Sequence, residues 1–177
     1  MKQASFYFAA ALAIIPLACF AASPYAGEQS RSIKSLSQQE TADYLSGKGM
    51  GFAKAAELNG YPGPGHVLEL ADKLALSPTQ KARTEEVFDR MQRRARKLGS
   101  RLVAEEKRLD EAFASKTVSR ESLATSVSSI ATIQGQIRAT HLEAHLAQNA
   151  ILTPAQKAEY WRLRGYAVAD SQHQHKH

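Results

Sequence analysis

Two near-identical punctuation marks constrain this chain more than any other feature. Leu76-Ser77-Pro78-Thr79-Gln80 and Leu152-Thr153-Pro154-Ala155-Gln156 each place a hydroxyl residue directly before a proline. That pattern starts a helix, because the side-chain oxygen can accept from the free N–H groups of the first turn. Proline at the first helical position gives up no hydrogen bond. Between the marks, apolar residues recur at helical intervals. Val87, Met91, Ala95, Leu98, Leu102, Leu109 and Phe113 form one stripe, and Leu123, Val127, Ile130, Ile133 and Ile137 form the next. Ser115 to Val118 interrupts the pattern, and Ser119 with Glu121 restarts it. The prediction is an all-α fold: a long antiparallel helical hairpin with short flanking helices, the last running from Pro154 to about Val168. No stretch alternates with period two, so no sheet is expected. One hairpin cannot bury both of its sides. Flanking helices or a second copy of the chain must cover the rest, and a homodimer is the economical solution.

The first 22 of the 177 residues have the shape of an export signal. Lys2 supplies the positive start, Phe6 to Phe20 is a short uncharged apolar run, and Ala21, Ala22 and Ser23 are small. The run is too short to span a bilayer comfortably. A lipid anchor on Cys19 is the weaker reading, because Pro16 stands where a large aliphatic residue is preferred. Cleavage after Ala21 leaves a mature chain without cysteine, stabilised by packing alone in an oxidising, periplasm-like space. No later stretch is apolar enough for a transmembrane segment. A net charge of +6 suits an anionic partner, while export and 7% aromatic content argue against nucleic acid.

Within the exported part, residues 23–37 are polar and expected to be flexible. Residues 38–169 form the helical domain, and 170–177 a histidine-rich tail. Gln38 to Asn59 is helical in composition but interrupted by Gly47, Gly49 and Gly51, which predicts a broken or paired short helix. Gly60-Tyr61-Pro62-Gly63-Pro64-Gly65 breaks the chain, and a short helix is expected over His66 to Ala75.

Two clusters carry functional chemistry. Arg90, Arg93, Arg94, Arg96, Lys97 and Arg101 run along the first long helix without an intervening acid. They read either as a solvated outer face or as a positive cradle for acidic or unfolded polypeptide, since long basic stems can lie on apolar surface with their heads wet. His141 and His145 sit at i and i+4 on the stripe of the second helix, facing its partner. Two such imidazoles can converge on Zn, Cu or Ni, and His66 with Glu69 are the candidates to complete the ligand set if their helix folds back along the first long helix. Alternatively, the histidines are partly buried helix residues bonded to Glu85, Glu86 or Asp89. The tail histidines His173, His175 and His177 can bind transition metal loosely. No glycine-rich phosphate loop, H-E-x-x-H or activated nucleophile is present, so catalysis is not expected.

The paired motifs, with Leu76, Gln80, Leu152, Thr153 and Gln156, resemble the LTxxQ repeats of the Spy/CpxP family of periplasmic proteins, to which the ZraP-type and CnrX-type metal-responsive proteins are related. The resemblance covers about residues 66–169, and Ser77 departs from the threonine of the repeat. It implies an ATP-independent chaperone of the envelope stress response that needs no cofactor. It also implies a dimer with a basic client-binding face and, in CpxP-like members, restraint of a sensor kinase. The metal-sensing relatives place histidines on the hairpin helices, and the first helix here lacks the corresponding His-x-x-x-His.

Overall fold

The computed structural model describes residues 22–166. The tail at 170–177 and all but the last residue of the expected export signal lie outside the described residues, while the final helix, expected to run to about Val168, ends earlier, at Leu163 with Arg164 as its cap. The chain divides at residue 30 into two compact units, and the described part of the first holds one 3-10 turn at Glu28–Ser30. Among its described residues the second unit carries six helices: α1 Gln38–Ser46, α2 Lys54–Glu57, α3 Pro64–Glu69, α4 Pro78–Ala114, α5 Arg120–Asn149 and α6 Pro154–Leu163. There is no strand among the described residues.

The helix starts are built from side chains. Ser37, Ser77, Ser119 and Thr153 each close a capping box, accepting from the N–H three residues on while that residue's side chain reaches back to the cap N–H. In α5 the reciprocal partner is Ser122, while Glu121 sits in the first turn, where the helix dipole favours an acid. Gly47, at φ 72°, ends α1 in the left-handed conformation that glycine adopts without steric cost. The expected helix over His66–Ala75 is shorter and begins earlier. Pro64 occupies its first turn, as Pro78 and Pro154 do in theirs, and residues 70–75 form turns in which Ala75 has φ 48°.

Three apolar clusters fill the core. Leu98, Leu102, Ile130, Ile133 and Ile137 pack between α4 and α5, with Tyr44 and Phe52 against them. Val87, Ala144 and Ile151 form a second cluster, and Val67, Leu74, Leu152 and Tyr160 a third that joins α3 to α6. The stripe residues Phe113 and Val127, beyond the reach of α1, are exposed. The segment expected to be flexible holds two core residues, Ile33 and Leu36, and Lys34 bonds Asp110 through both its backbone N–H (3.1 Å) and its ammonium (3.0 Å).

Candidate functional site

The two sequence motifs meet. Gln80 Oε1 accepts from the Ser77 N–H at 3.1 Å and Gln156 Oε1 from the Thr153 N–H at 3.0 Å, so each glutamine completes its own cap. Their amide nitrogens then cross over. Gln80 Nε2 donates to Gln156 Oε1 (2.8 Å) and to the Ile151 carbonyl (3.0 Å). Gln156 Nε2 donates to Gln80 Oε1 (3.1 Å) and to the Leu74 carbonyl (3.2 Å). Leu76 and Leu152 pack in the cluster beside this pair. The motif therefore joins the starts of α4 and α6 to each other and to the end of α5.

All six residues of the basic run on α4 are exposed. Arg90, Arg94, Lys97 and Arg101 recur at i, i+4, i+7 and i+11 and so form one row, about 16 Å long at the helical rise. Arg94 pairs with Glu143 at 2.7 Å, and Arg96 donates to the Ser46 carbonyl at 3.2 Å. Arg90, Arg93, Lys97 and Arg101 have no ion-pair or hydrogen-bond partner among the described residues. Beside the row, Val87, Met91, Ala144 and Ala147 line an open groove of about 230 Å³ between α4 and α5, rimmed by Arg90, Arg94 and Glu143.

His141 and His145 both turn inward, with 3% and 9% of their surfaces exposed. The His141 ring lies nearly parallel to Phe52, centroids 6.1 Å apart, and its Nε2 is buried without a partner. Burial, and then the neighbouring His145, hold the His141 imidazole below its ordinary pKa. His145 donates from Nδ1 to the Tyr61 carbonyl at 2.7 Å, with Glu57 Oε2 at 3.8 Å. The acids expected as neighbours, Glu85, Glu86 and Asp89, all lie exposed on α4, and the histidine partners come instead from α2 and the turn after it. Folding back of α3 does bring His66 to the same cavity as His145, a space of about 490 Å³. His66 Nδ1 bonds Glu69 at 3.1 Å, and Glu69 is not part of the cavity wall. Among the described residues no group of three or more His, Cys, Asp or Glu side chains converges to hold a metal ion.

Sequence reasoning missed Glu57. Its Oε1 accepts from the hydroxyls of Tyr160 (2.6 Å) and Tyr166 (3.3 Å) and from Arg164 Nε (3.4 Å), while its Oε2 is buried without a partner. Burial and the adjacent carboxylate push the Tyr160 phenol far up. These partners lie 103 to 109 residues from Glu57 in the chain, so no local spacing could have signalled the cluster. No family model, curated protein or solved structure matches this chain.

Proposed function

We propose that this chain is an exported, periplasmic, ATP-independent chaperone-like protein of the envelope stress response. It would hold unfolded or aggregation-prone polypeptide along the basic row of α4. The observation that carries the reading is the juxtaposition of unpaired cations with an apolar groove. Arg90, Lys97 and Arg101 can attract acidic segments, and Val87, Met91, Ala144 and Ala147 can take a client's apolar side chain. The antiparallel hairpin of α4 and α5 would supply the long face, and a second copy covering Phe113 and Val127 would complete a homodimer. Sensor-kinase restraint would use the same basic face.

Light scattering of a denaturing client tests the proposal. Arg90→Glu, Lys97→Glu and Arg101→Glu together change only exposed, unpaired groups and should leave the fold intact within about 0.5 kcal/mol each. Aggregation suppression should fall several-fold and weaken in high salt. Unchanged suppression would refute the assignment of this face.

Heavy-metal binding through His141 and His145 is the second reading, favoured by the open Nε2 of His141 and by the cavity that His145 shares with His66. Calorimetry with Zn, Cu or Ni, with and without the tail from Ser171, separates a specific site from loose tail binding. Binding that persists without the tail and is lost on replacing both helix histidines would favour this reading.

A further inference from the structure

The cavity shared by His66 and His145 is lined by three kinds of side chain. Glu57 and the rings of His145 and His66 form one part, the ammonium-bearing Lys48 and Lys54 another, and the exposed side chains of Met50 and Leu58 an apolar rim.

The first part accepts hydrogen bonds. A carbonyl can only accept, so His145 Nδ1 carries a proton and donates it to Tyr61, beside the Glu57 carboxylate. His66 lies on the same wall, with Nδ1 held by Glu69. Three donors converge on Glu57 Oε1 while its Oε2 has none, and a buried acceptor left empty carries an energetic penalty.

The second part donates and is positive. Lys48 is tied to Asp43 at 2.6 Å, but Lys54 has no partner among the described residues. Lys54 and Glu57 stand one turn apart on α2 and form no pair with each other, because the carboxylate turns toward Tyr160.

From this sorting we infer that the cavity binds a small zwitterion with an aliphatic side chain, a free α-amino acid or a short peptide. Its ammonium meets the Glu57–His145 side, its carboxylate meets Lys54, and its side chain lies on Met50 and Leu58. A simple cation would be opposed by both lysines and by Arg164 behind Glu57. A simple anion would meet the Glu57 carboxylate. Only a molecule carrying both charges matches both parts of the wall.

Isothermal titration of the full chain with L-leucine and with dileucine tests the inference, using N-acetyl-leucine and leucine amide as molecules that each lack one charge. At least one zwitterion should bind saturably at one site per chain, and each blocked compound should bind at least about tenfold more weakly. Whichever zwitterion binds tighter identifies the source as free amino acid or peptide. Lys54→Glu, at an exposed position, should weaken binding about tenfold without changing the melting temperature. Glu57→Gln should also weaken it, with circular dichroism reporting whether the fold survives loss of the carboxylate. Absence of saturable binding by both zwitterions would overturn the inference. So would equal binding of the blocked compounds, or full affinity in the Lys54 variant.

Discussion

Two glycines within the long helices should respond in opposite directions to the same substitution. In a helix interior, Gly→Ala stabilises by about 1 kcal/mol from backbone propensity alone. At Gly135, on the exposed face of α5, an added Cβ meets nothing within 4 Å, so Gly135→Ala should realise most of that gain. At Gly99 on α4 the same Cβ would stand 2.0 Å from the Tyr44 carbonyl oxygen and 2.6 Å from its carbon, both backbone atoms at the end of α1. Relief requires α1 to withdraw by more than an ångström. That would disturb Tyr44 against the central cluster and the bond from Arg96 to the Ser46 carbonyl. Overpacking costs about 1–3 kcal/mol, and a clash with backbone, which cannot rotate away, falls at the upper end, about 2–3 kcal/mol, so Gly99→Ala should be destabilising by about 1–2 kcal/mol after the propensity gain is subtracted. Urea unfolding followed by circular dichroism measures both, and the two variants should differ by about 2–3 kcal/mol. A Gly99→Ala protein as stable as Gly135→Ala would refute the close seating of α1 on α4.

The other predictions concern the buried polar groups and the exposed end. Gln80→Leu and Gln156→Leu should each destabilise by about 1–3 kcal/mol, because each breaks the bonds between the amides and leaves a cap N–H and a backbone carbonyl, Ile151 or Leu74, without its partner, and the double variant should lose less than the sum. A double-mutant cycle giving strict additivity would mean that the two amides do not act together. The His141 imidazole has a folded-state pKa below the unfolded one, so the unfolded chain takes the proton first. Its contribution to stability is therefore full above about pH 6.5 and falls as the pH drops below that value. Melting temperatures between pH 7.5 and 5.5 should decline less in His141→Gln, and an identical decline would assign the effect to other groups. If the proposed homodimer forms through the exposed Phe113 and Val127, replacing both by glutamate should leave a monomer in sedimentation equilibrium, with the melting curve of the helices otherwise preserved, and an unsubstituted chain that is already monomeric would refute the dimer. Retention of the dimer would place the interface elsewhere.

The helical content and its starts were legible because their causes are local. Ser77, Ser119 and Thr153 cap as their sequence context requires, and the stripe from Val87 to Leu102 is buried as its spacing predicts, except for the half-buried Met91. The pattern was less informative where burial depends on what lies alongside. Phe113 and Val127 keep the period of the stripe yet remain exposed, since periodicity specifies a face and not its cover. Pro64 was read as part of a breaker because its flanking glycines hide a helix start. The inward turn of His141 and His145 followed from helical angles, but their partners belong to a glycine-punctuated segment whose path no period encodes. Glu57 escaped notice for the same reason, its three donors all coming from the C-terminal part of the described chain.

The crossed amides of Gln80 and Gln156 also set a direction of mechanical response. One end of the long helix pair is clamped by paired amides and capped backbone, and the other ends in a short turn beside exposed Phe113 and Val127. Loosening should therefore propagate from residues 115–119 inward, as in a fork held at its stem. Amide hydrogen exchange would record this as a gradient of protection along α4 and α5, slowest near the stem and fastest at the tips. Force applied at the tips would thus bend them without breaking the stem, so that one end of the helix pair yields while the other keeps its fold.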